Sequence, residues 1–245
     1  MSTKSKFRNG VLSFYDSVTK ETLLPLAPVV FYDDFLGGDL VIPAAGSAES
    51  GCRWVKKIVG AAPPTVAKVA NSANGIAACT LTATSEKQDA ALYFNDQKNF
   101  AVTQGCVFEA VIKMSVLPTG TAQMVWGLVS NWTDGPDNIT FSAFFKANGS
   151  GLINCEMDDN VTDSSVSSGV TLANTDTAIC RIDFNDVTNV KYYINGTQVA
   201  TGTTFGFAAT GTNAVLQPFF QAYKPSGTDV GTLQVDSVRI WQNRS

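Results

Sequence analysis

The stretch VKYYINGTQVATG, residues 190–202, decides how the chain is read. Its tripeptide Asn195-Gly196-Thr197 is both a glycosylation sequon and a two-residue turn. In an extended run Val190, Tyr192 and Ile194 share one face and Lys191 and Tyr193 the other, before Thr197, Gln198, Val199 and Ala200. A type I′ turn needs positive φ at both central residues. Asn and Gly accept this most readily, so Asn-Gly between alternating runs signals a β-hairpin. The sequon reading needs export, whereas MSTKSKFRNG is basic and polar, with no apolar stretch behind it, unlike a signal peptide. Five other triplets also match the sequon, beginning at Asn131, Asn138, Asn148, Asn160 and Asn243. A chain rich in Asn, Thr and Ser carries such triplets in its turns. The turn reading prevails.

Composition points the same way. Of 245 residues, 44% are hydrophobic and 16% charged, and the charged share is below the usual quarter. Abundant Thr, Val, Phe and Gly favour strands and turns. A net charge of −4 argues against a nucleic-acid binder, and no apolar run reaches the ~20 residues of a membrane span. Five cysteines (Cys52, Cys79, Cys106, Cys155, Cys180) include no CxxC pair and read as free, buried small side chains, consistent with a reducing compartment. The chain has no histidine, which excludes Ser-His-Asp and Cys-His catalysis and any His-ligated metal.

Strand-like runs recur from about residue 30. In Cys106–Val116, Phe108, Ala110, Ile112 and Met114 share one face, a period of two. Further runs are expected at 28–35, 52–59, 65–70, 76–84, 90–94, 122–130, 139–146, 151–157, 178–184, 190–195, 198–202, 214–223 and 232–241. Turn chemistry separates them, as at Thr133-Asp-Gly-Pro136 and Lys224-Pro-Ser-Gly227. In Leu233–Trp241 the apolar phase shifts between Val235 and Val238, and a β-bulge at Asp236-Ser237 would restore it.

Residues 1–29 read separately, with a small hairpin at Asn9-Gly10 and an apolar, proline-punctuated piece at Leu23–Pro28. They are expected to form an extended N-terminal arm for partner contact, followed by one β-sandwich over 30–245. The arm's candidate contact residues are Phe7, Leu12, Phe14, Tyr15, Leu23, Leu24 and Leu26. Such side chains gain roughly 1.5–3 kcal/mol each on full burial, and a lone hairpin rarely buries them.

Tyr32-Asp-Asp-Phe35, the Gly105–Val116 strand, Trp126-Gly-Leu128, Arg181-Ile-Asp-Phe184, the Asn195-Gly196 hairpin and Val235–Ile240 together resemble the concanavalin A-like lectin/glucanase fold in its laminin-G-like variants. The resemblance covers roughly residues 30–242 and rests on strand order and one hairpin. It implies an all-β protein: a two-sheet antiparallel jelly-roll sandwich. That fold hosts enzymes, sugar binders and structural modules, so function has to come from sites.

Glucanases of this fold carry Glu-x-Asp-x-(x)-Glu on one strand. Glu156 and Asp158 match its first two positions, but Asn160 and Val161 stand where the acid/base Glu belongs. Retaining hydrolysis needs a second carboxyl about 5–5.5 Å from the first, so no catalytic residue is assigned. Lectins of the fold bind calcium. Asp183-Phe-Asn-Asp186 resembles part of such a site without its full spacing; a calcium ion stays open at Asp33, Asp34, Asp158, Asp159 or Asp163 without a specific motif, and no metal or other cofactor is assigned. For sugar contact the candidate is the loop bearing Trp132, Asp134, Asp137 and Asn138, a stacking ring with polar neighbours; the alternative is a Trp folded onto its own loop.

The combination of an arm, a jelly roll, low charge and no catalytic set resembles a bacteriophage capsid decoration (cement) or head-fibre protein. That resemblance implies a non-enzymatic protein assembled onto the virion in the host cytoplasm. Its partners would be the major capsid protein, another virion protein or copies of itself. A carbohydrate-binding adhesion module, with a host surface glycan as partner, ranks second and a glycoside hydrolase last.

Overall fold

The structure, a computed structural model, describes residues 3–8, 11–37, 42–45 and 53–244. Strands β1 (Thr3–Arg8), β2 (Val11–Asp16) and β3 (Thr22–Leu26) form an antiparallel sheet of their own. The chain continues through β4 (Val29–Asp33), β5 (Val55–Val59), β6 (Thr65–Lys68), β7 (Ala77–Thr80), β8 (Gln88–Tyr93), β9 (Phe100–Ala101), β10 (Val107–Val116) and β11 (Gln123–Val129). It ends with β12 (Ser142–Asn148), β13 (Leu152–Asp158), β14 (Asp163–Thr171), β15 (Thr177–Asp183), β16 (Lys191–Ile194), β17 (Thr197–Val199), β18 (Val215–Lys224) and β19 (Thr232–Gln242).

Among the described residues, two eight-stranded sheets face each other. The back sheet runs β17-β16-β15-β10-β19-β7-β6 with β4 also on β19, and the front sheet β14-β13-β12-β11-β18-β8-β5 with β9 also on β18. Alternation decides what lies between them. From the back sheet come Phe108, Ala110, Ile112 and Met114, and from the front sheet Trp126, Phe145, Cys155 and Phe220, all within 1% of full burial in one core. Tyr192 spans the layers by donating its hydroxyl to the Glu156 carbonyl at 2.6 Å. This is the expected jelly-roll sandwich.

The hairpin that opened the reading is built as expected. Ile194 pairs with Thr197, and Asn195 and Gly196 take φ of 50° and 78°. The bulge at the chain end is present as well. Val111 pairs with Ser237 and Ile112 with Val235, so Asp236 is extra and Leu233, Val235, Val238 and Ile240 all stay in the core. Cys79, Cys106, Cys155 and Cys180 are free and buried, and burial pushes the Cys180 thiol up to about 12. Cys52 and the Asn9-Gly10 turn lie outside the described residues.

Strands β1, β2 and β3 are not the extended arm expected from the sequence. They form a third layer laid on the outer face of the back sheet of their own chain. Cross-strand partners point the same way, so the register Phe7–Leu12–Leu26 and Phe14–Leu24 puts these five side chains on one face. Val11 and Ser13 point the other way and are buried, Val11 against Val107 and Trp241.

Candidate functional site

Three places bring chemistry-bearing side chains together, and the first is the seam beneath the N-terminal layer. The fully buried Glu109 accepts hydrogen bonds from the Thr22 N–H and hydroxyl, both at 3.0 Å, and from Arg181 Nε at 2.8 Å. A second Arg181 nitrogen reaches Glu109 and also donates to the Thr22 hydroxyl. Glu21 pairs with Arg239 at 2.8 Å, and that guanidinium lies 4.8 Å from the Tyr32 ring centre. The row follows from alternation, since Tyr32, Arg239, Glu109, Arg181 and Tyr193 are opposite one another across four ladders. Alternation in Cys106–Val116 puts Glu109 on the face away from Phe108, Ala110 and Ile112. Alternation carries no signal for the partners, which lie 72 to 87 residues away.

The arm candidates divide between the two sides of this layer. Phe7, Leu24 and Leu26 are 73%, 51% and 53% exposed on its outer face, with Leu12 and Phe14 half-buried beside them. Leu23 and Tyr15 are half-buried at the bulge where β2 and β3 slip register. Lys6 lies 4.4 Å from the Tyr15 ring centre.

The second place is the outer face of the front sheet. Glu156 and Asp158 alternate along β13, as the motif requires, but Glu156 is paired with Lys146 at 2.6 Å and accepts the Ser165 hydroxyl at 2.8 Å. Lys146 also reaches Asp137 at 2.6 Å. A cavity of about 140 Å³ opens here, lined among others by Asp137, Phe144, Lys146, Glu156, Asp158 and Ser165. Burial pushes the Glu156 carboxyl above its ordinary value, against the pull of Lys146. Burial works the other way on Lys146, yet Asp137 and Glu156 outweigh it and hold the ammonium on. Beyond Asp158 the chain turns. Asn160 has φ 65°, Asp159 accepts the Val161 and Thr162 amides, and Val161 is 83% exposed, so no carboxylate follows at the third motif position.

The third place adjoins it. The loop with the candidate sugar residues folds onto this face rather than away from it. Trp132 packs on a cluster of Ala91, Tyr93, Val125, Val129, Phe144 and Phe219. Its indole N–H donates to Asp89 at 3.1 Å, its backbone N–H to Asp96 at 2.7 Å, and the Lys57 ammonium sits 4.6 Å from its ring centre. Asp134 pairs with Lys87 and Asp137 with Lys146, each at 2.6 Å, while Asn138 donates to the Asp134 carbonyl. The structure thus brings Trp132, Asp134, Asp137 and Asn138 into one loop whose polar groups are engaged within the chain.

Sequence reading missed Asp89, the group that anchors Trp132. It is fully buried, and one carboxyl oxygen accepts from Trp132 and Gln221. The other oxygen has no partner among the described residues, nor does the Gln221 amide oxygen. Burial raises its pKa to about 7, with the two hydrogen bonds opposing. The available signal was polar Gln88-Asp89 running directly into Ala90-Ala91-Leu92.

Among the described residues no group of three or more Cys, Asp or Glu is arranged to hold a metal ion. Asp33 is engaged by the Phe35 amide and the Trp54 indole, and Asp34 by Tyr32. No helix among them is long and apolar enough to cross a membrane.

The fold defines the class: an all-β, two-sheet antiparallel jelly-roll sandwich. No family model and no curated protein matches the chain. Solved structures do. A protein of unknown function from Shewanella oneidensis MR-1 aligns at TM-score 0.57 and 13% identity over 88% of this chain and 89% of that one. A β-1,3-glucanase from Mycobacterium marinum aligns at 0.54 and 15%, over 86% and 97%. The carbohydrate recognition domain of Emp47p aligns at 0.51 and 11%, over 85% and 100%. At these identities the likeness is one of fold.

Proposed function

We propose that the chain is a non-enzymatic structural protein of a virion, of the capsid decoration (cement) or head-fibre kind. It docks through the outer face of its N-terminal sheet and displays the sandwich outward. The observation that carries this reading is the two-sidedness of that sheet. Its inner face is fastened to the sandwich, and its outer face turns Phe7, Leu12, Phe14, Leu24 and Leu26 to the surface, with Asp16 at the end of the same face engaged by the Val18 and Thr19 amides. Apolar side chains gathered in one exposed patch mark interaction sites more often than apolar residues scattered singly. Against hydrolysis stands the Glu156–Lys146 pair, which neutralises the carboxylate at the nucleophile position, together with the missing third carboxylate.

A second reading, a carbohydrate-binding module, draws on the cavity at Lys146 and Glu156 and on the names of the glucanase and carbohydrate recognition domain that share the fold. One experiment separates the two. Purified protein is mixed with capsids lacking it and imaged, alongside a glycan array. The proposal expects saturable decoration, lost in Phe7→Ser/Leu24→Ser/Leu26→Ser and retained in Trp132→Ala. No decoration, with a glycan signal that Lys146→Ala removes, would favour the carbohydrate module.

A further inference from the structure

A cleft of about 420 Å³ lies where β4 meets the β8–β9 connection, and it shares no residue with the places described above as sites. Three phenylalanines frame it. Phe31 and Phe94 meet edge-on at 5.3 Å, and Phe100 stands 6.1 Å from Phe31. Phe31 and Phe94 are only half-buried, so their rings still present apolar surface to the cleft. The polar groups lining it, Arg53, Gln97 and Asn99, are all exposed. The Arg53 guanidinium sits 5.7 Å from the Phe31 ring centre and makes one long hydrogen bond, 3.4 Å, to the Tyr32 carbonyl. Among the described residues no carboxylate lines the cleft or pairs with Arg53, although Arg181 and Arg239 each have one.

The volume falls within the range of small-molecule sites, which combine an apolar lining with a few convergent polar groups. The charge pattern selects among ligands. A single unpaired guanidinium beside aromatic rings favours an anion of planar, two-oxygen geometry, because Arg binds a carboxylate through two parallel N–H donors. A neutral sugar would use little of that charge, and a cation would be repelled.

We infer that this cleft binds a small monocarboxylate with an apolar body, an aryl or short acyl carboxylate. The body lies among Phe31, Phe94 and Phe100, and the carboxylate pairs with Arg53. Gln97 and Asn99 add amide groups to the lining.

The test is calorimetric titration of the full chain with 4-phenylbutyrate, with 4-phenylbutanol as the uncharged comparison. The expected result is one saturable site for the carboxylate and weaker binding of the alcohol. Arg53→Gln weakens the carboxylate by about tenfold or more while leaving the alcohol unchanged. Phe94→Ala weakens both. Arg53 is exposed, so its replacement should leave the thermal midpoint in place, and Phe7→Ser on the N-terminal sheet should leave binding intact. Absence of carboxylate binding at millimolar concentration overturns the inference. So does binding that Arg53→Gln does not weaken, or binding that Phe7→Ser abolishes.

Discussion

The two large sheets cover their outer faces by opposite means. Over the back sheet lies a layer made from the start of the chain, seated on charge: Glu109 among Arg181, Arg239 and Thr22, with Glu21 closing onto Arg239. Over the front sheet lies an internal loop, seated mainly on apolar surface, where Trp132 and Ile139 meet Tyr93, Val125, Val129 and Phe219, with Asp137 reaching Lys146 beside it. Asp89, buried beneath that loop, has no cation paired with it among the described residues, whereas Glu156 on the same face is paired with Lys146. A buried charge that is paired and hydrogen-bonded is tolerated, and one without a counter-charge responds by shifting its pKa. The back-sheet seam should therefore fail when a partner is removed, and the front-sheet seam should respond to pH.

The largest expected effect is at Glu109. Glu109→Ala strands Arg181 in a buried site, and breaking such a pair costs about 3–5 kcal/mol. Denaturant unfolding measures it, and a loss under 1 kcal/mol would mean that charge does not hold the layer.

Asp89 comes next. Its pKa is about 7 in the folded chain against 3.8 as the ordinary value, so between those pH values the unfolded chain is deprotonated while the folded one keeps its proton. The Asp89 contribution to stability is then greatest below about pH 4 and falls with rising pH by up to about 1.4 kcal/mol per unit until about pH 7. Asp89→Asn should flatten this part of the stability–pH curve and be neutral or stabilising at pH 8, where the buried charge is gone. An unchanged curve would remove the contrast between the two seams.

Gly196→Val is smaller, at about 1–3 kcal/mol. It places a β-branched residue at φ 78° and sets a Cβ 2.6 Å from a Lys20 side-chain carbon, so it strains the hairpin and the N-terminal layer together. A thermal midpoint equal to wild type would contradict this. The smallest expected effect is none: Glu156→Gln should leave measured β-glucan hydrolysis at background, and turnover by wild type that this change abolishes would overturn the non-enzymatic reading.

What could be read from the sequence was what alternation writes locally. The Asn195-Gly196 turn, the Asp236 bulge and the core phase of β10 are all carried by neighbours within a few residues. Strand β14, DSSVSSGVT, was not expected. It is an edge strand with only Val166 and Val170 as apolar anchors, so it has little pattern to show. The N-terminal layer was taken for an arm because its apolar residues are visible in the sequence while the polar pocket that receives Thr22 is assembled from β10 and β15. The sugar candidates were located in one loop, but the partners that engage them, Asp89, Lys57 and Lys87, come from β5, β8 and the turn before β8.

Hydrogen exchange across residues 11–26 tests the central claim, that the N-terminal sheet is a fastened layer with one free face. In the wild-type chain the β2 amides that pair with β1 and β3 should be protected. In Glu109→Gln/Glu21→Gln they should exchange faster, while β11 at the centre of the front sheet keeps its protection. Amides of β2 that exchange freely in the wild-type chain, or protection that the double variant leaves unchanged, would contradict it.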